Sequence, residues 1–374
     1  MMHSSCKRHD RGFTLIELMI GLAVTSIIVT AGFIVLTTTD KSTKANEQAA
    51  GTQQNVRLAM ELISRDVKLA GFRMPLSPNV PVGGAAGNCA PGGTPSAIKP
   101  VDKVSGASGV PNDDGPDTVS LAVPRTNPGW ALSAVAPASP ATSFNVITLN
   151  ATAVTEMQAE GMADNTNAYV SIGGVVTGQV TTSSGATVNL NSTYNLPVTF
   201  PAGTQVYLLQ CITYSIGTTA ATCGTTGPCL LRTVDTGTAL ATTTNIVDGV
   251  EDIQFALACD GCNGTIKSGV PDGVIDDWNA NNTFDDLDWQ TNRVWAPLTF
   301  DPATIRLVQV NVVARQSTAD QGLGEAQQAG ILTTAPLTVS DHLHSTDPGY
   351  VATTYQQFRR RVLTRTVDAR NVEQ

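Results

Sequence analysis

Charged residues are scarce in this chain and account for only 14% of its 374 positions. Threonine, serine, asparagine, glycine and proline are plentiful instead. This bias suits a β-rich, loop-rich protein outside the cytoplasm better than a helical cytosolic enzyme. The net charge of −9 opposes broad, non-specific binding to nucleic-acid phosphates. No G-x-S-x-G, P-loop or H-E-x-x-H motif occurs, so the sequence predicts a structural or binding role rather than an enzyme.

Proline and charge are both missing from the most apolar stretch of the chain. No proline precedes Pro75, and no charged residue occurs from Leu18 to Thr39. This run matches the roughly 20 residues that a helix needs to cross a bilayer. It is too long for a cleaved secretory signal and is followed by no good A-x-A site. We therefore expect one membrane-spanning helix that continues beyond the bilayer.

One carboxylate, Glu17, lies at the front edge of the apolar run. A carboxylate in an apolar surrounding is costly unless it has a cationic partner, so a plain membrane anchor leaves Glu17 unexplained. An ordinary signal anchor with an accidental glutamate is the alternative. Lys7, Arg8 and Arg11 precede the run, which fits a cytoplasmic leader under the positive-inside rule.

The segment GFTLIEL, from Gly12 to Leu18, resembles the type IV prepilin signature. In that family a prepilin peptidase cuts the chain, here between Gly12 and Phe13, and methylates the new amino terminus of Phe13. The resemblance implies that Glu17 then pairs with the terminal amine of a neighbouring subunit during assembly.

The chain after the apolar run has a single apolar stripe of helical period. The stripe consists of Val56, Ala59, Met60, Ile63, Val67 and Ala70. It predicts a helix that docks against a sheet and stops at Gly71 or Pro75. The segment SRDVKLAGF, residues 64–72, resembles the end of the first helix in PilW-type minor pilins.

Short β-branched segments separated by turn residues predict a mostly antiparallel sheet. They cover residues 118–123, 144–149, 169–172, 187–190, 205–214, 230–234, 250–257, 304–314 and 355–367. Residues 247–255, 305–315 and 358–362 resemble strands of PilW-type proteins. Residues 76–245 carry no such resemblance.

These patterns together predict an α+β fold. A long N-terminal transmembrane and amphipathic helix packs on a mostly antiparallel, pilin-like β-sheet domain with long loops. The expected divisions are a prepilin leader (1–12), a transmembrane and assembly helix (13–40), its amphipathic half (41–75), a β-rich variable region (76–245) and a PilW-like β region with an acidic loop (246–374).

Seven cysteines are present, and one of them, Cys6, lies in the leader. The other six are Cys89, Cys211, Cys223, Cys229, Cys259 and Cys262. An even number outside the cytoplasm indicates disulfide bonds. Short spacing favours Cys223 with Cys229 and Cys259 with Cys262, which leaves Cys89 for Cys211. A redox or zinc pair is the alternative for Cys259 and Cys262.

Acidic residues concentrate between Asp260 and Asp288, in a segment rich in glycine and asparagine. Such loops provide the oxygen ligands that calcium prefers, although the EF-hand spacing is absent. The alternative is a solvated turn whose acidic side chains bond to nearby backbone. If calcium binds, we expect Asp272, Asp276 and Asp277 as its ligands, because Asp272 starts a tight Pro-Asp-Gly loop. The sequence indicates no other cofactor.

Two further clusters have a functional and a simpler interpretation. His342 and His344 lie on one side of an extended segment, but a metal site needs further ligands, so we expect an exposed loop. The basic residues Arg359, Arg360, Arg361 and Arg365 indicate either an anionic partner such as DNA or strand charges paired with the acidic surplus. The acidic surplus favours the second interpretation.

The resemblances imply a minor pilin of the PilW type that initiates pilus assembly and so supports twitching motility, adhesion or DNA uptake. They imply a single pass through the inner membrane with a periplasmic domain, and a place in the cell-surface pilus after assembly. The expected partners are other minor and major pilins, prepilin peptidase and the inner-membrane assembly platform, with a surface or DNA ligand as an option. The alternatives are a minor pseudopilin of type II secretion, which has the same N-terminal signature, and a tip adhesin.

Overall fold

The fold is α+β, with a long N-terminal helix and mostly antiparallel strands, as the sequence predicts. The structure is a computed structural model, and its two compact units are Met1–Ala50 and Gly51–Gln374. It describes residues 14–74, 89, 97–101, 115–125, 129–143, 145–162, 168–191, 193–225, 227–234, 241–261, 271–277, 281–285, 288–289, 304–319, 336–340, 342–347 and 350–369.

The helix α1, Leu15–Leu69, runs without interruption for 55 residues, as the absence of proline predicts. It ends just before Gly71, whose φ of 76° lies in the left-handed region that glycine adopts without steric cost. The Gly71 amide donates a hydrogen bond to the Ala122 carbonyl at 3.0 Å, so the end of the helix is joined to a neighbouring strand. The predicted stop at Gly71 is confirmed.

Nearly all the regular structure after α1 consists of strands. They are β1 (Ile98–Val101), β2 (Thr118–Pro124), β3 (Ala136–Ser143), β4 (Val146–Thr148), β5 (Tyr169–Ile172), β6 (Val176–Ser184), β7 (Thr187–Asn191), β8 (Thr193–Phe200), β9 (Val206–Gly217), β10 (Cys229–Val234), β11 (Thr242–Asp248), β12 (Val250–Cys259), β13 (Ile305–Arg315), β14 (Thr338–Val339), β15 (His342–Leu343) and β16 (Arg360–Asp368). Short helices are α2 (Ala151–Ala159), α3 (Ala220–Cys223) and α4 (Ala352–Tyr355), with a 3-10 turn at His344–Thr346.

The described strands form two main antiparallel sheets. The larger has nine strands in the order β1-β2-β9-β5-β6-β7-β4, with β10 beside β9 and β11 beside β10. The smaller, which we call the C-terminal sheet, has the order β12-β13-β16. Two further pairs, β3 with β8 and β14 with β15, complete the pairing.

Each predicted strand segment contains an observed strand, but the last prediction began too early. Ala352–Tyr355 forms a helical turn, and β16 starts only at Arg360. The tyrosine and threonine residues before Arg360 favour strand by composition, whereas the hydrogen bond from the Tyr355 amide to the Val351 carbonyl closes a helical turn here.

The apolar stripe of α1 forms one wall of the main core. Its six residues are each 4% exposed or less, and they cluster with side chains of both main sheets such as Leu121, Phe255 and Val310. Burial of one such side chain, for example the fully buried Ile63, contributes about 1.5–3 kcal/mol. The predicted docking of this half of the helix on a sheet is confirmed.

A buried carboxylate, Asp66, joins α1 to the larger sheet. It is 2% exposed, and its Oδ2 accepts hydrogen bonds from the Tyr214 hydroxyl at 2.7 Å and from Arg232 Nε at 3.1 Å. Arg65 Nε contacts the other oxygen, Oδ1, at 3.2 Å. Burial and the adjacent Asp66 carboxylate both raise the pKa of Tyr214, so the phenol stays protonated and keeps donating.

A second core lies apart from the stripe of α1. It is built by residues between Trp130 and Leu208, and it includes Val154 and Met157 of α2, Val170 of β5 and Val180 of β6. Trp130 also donates from Nε1 to Glu156 Oε2 at 2.8 Å. The middle of the chain therefore has apolar packing of its own.

We predict that Tyr214→Phe lowers the free energy of unfolding by about 1.5–3 kcal/mol, because Asp66 then loses a charge-assisted hydrogen bond while it stays buried. Chemical denaturation of the full chain in detergent micelles, followed by tryptophan fluorescence, measures the change. Tyr207→Phe removes the same atom from the same strand, at a half-buried ring 5.9 Å from the Arg73 guanidinium carbon, and should cost less than about 0.5 kcal/mol. Equal losses in the two variants would contradict the role of the Asp66 bond.

Candidate functional site

The start of α1 has a reciprocal capping arrangement between Thr14 and Glu17. Glu17 Oε2 accepts hydrogen bonds from the Thr14 amide at 3.0 Å and from the Thr14 hydroxyl at 2.9 Å. The Thr14 hydroxyl in turn accepts from the Glu17 amide at 3.3 Å. This is a capping box, whose T-x-x-E signature stands in the sequence but was not used in the prediction.

The capping box leaves Glu17 able to make a further contact. Both donors meet the same oxygen, Oε2, and the side chain is exposed, so Oε1 is accessible to a partner. Gly12 and Phe13 lie outside the described residues. Cleavage and methylation at these two positions therefore stay predictions.

The apolar half of α1 is unburied in the single chain. Leu15 is 77% exposed, Ile27 69% and Phe33 68%. By length and composition, α1 is the helix in the described part of the chain that could cross a membrane. An apolar surface of this extent is unfavourable in water, so it requires lipid or other apolar helices as its surroundings.

Disulfide bonds join Cys89 to Cys211 and Cys223 to Cys229. The first ties the segment before β1 to β9, and the second closes the loop between β9 and β10. Cys259, at the end of β12, is also disulfide-bonded. Its predicted partner, Cys262, lies outside the described residues.

The acidic loop after β12 uses its carboxylates to hold its own backbone. Asp272 Oδ1 accepts from the Val274 amide at 2.9 Å, and Asp276 Oδ2 accepts from the Gly261 amide at 3.2 Å. Asp277 Oδ1 accepts from the Asn281 amide at 3.3 Å. These contacts belong to the alternative interpretation, in which acidic side chains stabilise tight turns.

Asp260 is the buried anchor of this acidic loop. It is 1% exposed and accepts hydrogen bonds from the amides of Asp272 at 2.8 Å and Gly273 at 2.9 Å, and from Arg306 Nη2 at 3.1 Å. Among the described residues, Asp272, Asp276 and Asp277 do not converge as a group of three metal ligands. The calcium site stays a prediction.

The histidines are not exposed, so the prediction of an exposed loop was wrong. His342 is 1% exposed and His344 is 2% exposed, and both rings meet the buried carboxylate of Asp252. Asp252 Oδ2 lies 3.0 Å from His342 Nδ1 and 3.0 Å from His344 Nε2. Asp252, His342 and His344 are a group of potential metal ligands whose atoms lie within 4.8 Å of one another. We call it the histidine cluster.

Local backbone geometry brings the histidine cluster together. The pairing of β12 with β13 has an irregularity between Val250 and Asp252, and such a bulge changes the direction of a side chain. His342 lies in β15 and His344 begins the 3-10 turn, with the extended residue Leu343 between them, and the two ring centroids are 4.8 Å apart. Burial raises the pKa of Asp252, but hydrogen bonds from His342 and His344 outweigh burial and hold it at about 2.

A polar cleft of about 280 Å³ lies beside the histidine cluster. Its wall includes Glu251, Arg315, His344, Tyr355 and Arg360. The Glu251 carboxylate accepts from Arg360 Nε and, at 3.3 Å, from Arg360 Nη2. Because Arg360 is neutralised by Glu251, and Arg365 Nη1 lies 3.2 Å from Glu61 Oε2, these two arginines show the charge-paired arrangement.

Comparison with protein families gives two matches. Residues 213–371 match the model of PilW, described as Type IV Pilus-assembly protein W. Residues 7–33 match the Prokaryotic N-terminal methylation motif. No curated protein and no solved structure matches the chain.

A prepilin-like signal, an unburied apolar helix and an antiparallel β domain together define the class of type IV pilins, which are structural components of a pilus. Association with other pilins and with the assembly machinery follows from this class. Within this class the two matches support a PilW-like type IV pilin, and the PilW match runs from the end of β9 through β16. The sequence-based recognition of this family is confirmed.

The calcium hypothesis predicts that millimolar calcium raises the melting temperature of the full chain. Replacement of Asp272, Asp276 and Asp277 by asparagine should abolish that rise, because the amide oxygens still accept from the backbone while the three charges are lost. Scanning calorimetry with magnesium as the control ion measures both. An unchanged melting temperature of the wild type in calcium removes the hypothesis.

Proposed function

We propose that this protein is a minor pilin that is cleaved between Gly12 and Phe13, N-methylated at Phe13 and incorporated in a type IV pilus. Before assembly it crosses the inner membrane once, with its β domain in the periplasm. There it helps to initiate the filament with other pilins and so supports twitching motility, adhesion or DNA uptake. Its role is assembly rather than catalysis.

The observation that carries this proposal is the unburied apolar half of α1. Its side chains are exposed in the single chain, so they have lipid as their partner before assembly and other helices afterwards. Transfer from lipid to a helix bundle gains no hydrophobic energy, because lipid tails are as apolar as the side chains. Close helix packing and polar contacts must therefore hold the bundle.

Glu17 is suited to supply such a polar contact. In the apolar bundle its carboxylate needs a cationic partner. After cleavage, the terminal amine of Phe13 is the cationic group closest in sequence to Glu17, and each neighbouring subunit has one. The capping box occupies Oε2, so Oε1 is the oxygen that receives the amine. Thr14 thereby orients the carboxylate for the contact between subunits.

A minor pseudopilin of type II secretion has the same N-terminal signature, and the PilW match favours the pilus over it. A tip adhesin is the second candidate function, and the separate core of the middle region favours it. A module with its own core can vary its surface without disturbing the packing of α1. The two roles are compatible in a subunit at the tip.

We predict that Glu17→Ala leaves membrane insertion intact and abolishes recovery in the sheared pilus fraction, as measured by immunoblot of both fractions. Glu17→Gln retains a capping-box side chain but no charge, and it should fail like Glu17→Ala. Thr14→Ala removes the cap and keeps the charge, so it should assemble, with a loss of about 1 kcal/mol in the first turn of the helix. Normal recovery of Glu17→Gln would assign Glu17 to capping alone.

Deletion of the gene tests the role in initiation. We expect surface pili to disappear while the retraction motor is active and to return when the motor is also deleted, because a missing initiator slows growth relative to retraction. Electron microscopy of both strains counts the filaments. Unchanged counts in both backgrounds would contradict initiation and favour secretion or a dispensable adhesin.

A further inference from the structure

The histidine cluster has the geometry of a metal site. Its three atoms, Asp252 Oδ2, His342 Nδ1 and His344 Nε2, come from β12 and from a segment about ninety positions further along the chain. In tetrahedral coordination by Zn²⁺, neighbouring donor atoms lie about 3.3 Å apart. The two oxygen–nitrogen distances of 3.0 Å are therefore within a few tenths of an ångström of that arrangement.

The second polar atom of each ligand side chain, which faces away from the centre, contacts another residue. Asp347 Oδ1 lies 2.9 Å from His342 Nε2, the Tyr355 hydroxyl lies 3.3 Å from His344 Nδ1, and Gln254 Nε2 donates to Asp252 Oδ1 at 3.0 Å. Metal-binding histidines commonly donate their second ring N–H to a carboxylate or another oxygen. The histidine cluster therefore has the outer contacts of a metal site as well as its ligand atoms.

These outer contacts fit the tautomers in which the inner ring nitrogens can bind a metal ion. In the neutral tautomers that donate to Asp347 and Tyr355, His342 Nδ1 and His344 Nε2 are acceptors. Both then face the carboxylate oxygen Asp252 Oδ2, another acceptor, in a site that is 2% exposed or less. Without a metal, protons on the two rings bond to this oxygen at 3.0 Å, and a bound cation would replace those protons.

We propose that Asp252, His342 and His344 bind one Zn²⁺ ion. Two imidazoles and one carboxylate suit Zn²⁺ better than calcium, which prefers oxygen ligands alone. A water molecule completes the four ligands. The ion links the β14–β15 hairpin to the C-terminal sheet and is distinct from the calcium hypothesis at Asp272, Asp276 and Asp277.

The test uses the full chain in detergent, stripped with a chelator, loaded with Zn²⁺ and dialysed. We expect close to one zinc per chain by mass spectrometry, and visible absorption bands of four-coordinate cobalt when Co²⁺ replaces Zn²⁺. His344→Gln and Asp252→Asn should lose both signals. Asp347→Asn, at a half-buried outer contact, should keep the fold by circular dichroism and weaken zinc binding about 10–100-fold.

The chain offers a matched control, because its two other histidines, His3 and His9, lie in the leader with Cys6. The combined variant His3→Asn, His9→Asn and Cys6→Ser should bind zinc like the wild type, and so should the triple asparagine variant of the acidic loop. The proposal is overturned if the wild type retains less than a tenth of an equivalent of zinc. It is also overturned if His344→Gln and Asp347→Asn retain as much zinc as the wild type. In the second case the zinc is adventitious.

Discussion

The Asp66 carboxylate is the contact on which the docking of the helix depends. Apolar packing alone lets a helix rotate or slide by small amounts at little cost, since the hydrophobic effect has no direction. A buried carboxylate permits no such freedom, because its oxygens must meet the Tyr214 hydroxyl and the Arg232 guanidinium. One buried charge therefore sets the register between α1 and the larger sheet. The same contact gives a physical reason for the arginine–aspartate pair in the SRDVKLAGF segment.

The two halves of α1 serve opposite requirements with one continuous hydrogen-bonded backbone. The second half buries a narrow stripe against the sheets, whereas the apolar side chains of the first half are exposed in the part of the chain that the structure describes. The first half therefore needs an environment that the single chain does not provide. Thr14 and Glu17 place a carboxylate at the very start of that surface.

Much of the strand pattern was predictable, and three of the missed strands share a cause. The predicted strands are rich in valine, isoleucine and leucine, as in β9 and β13. The missed strands β6, β8 and β11 are rich in threonine, serine or asparagine, so their polar composition resembles that of loops. Their partners in the sheet supply the hydrogen bonds that stabilise them, and those partners lie elsewhere in the sequence.

The sequence by itself determined the features that depend on local patterns: an apolar run, a prepilin-like motif, one helical stripe and most of the strands. Only the tertiary structure decided which side chains meet. Asp66 finds Tyr214 and Arg232, and Asp252 finds two histidines about ninety positions away. No local sequence pattern predicts either contact, because strand pairing and a bulge bring distant residues together. Periodicity indicates only which face of an element is apolar.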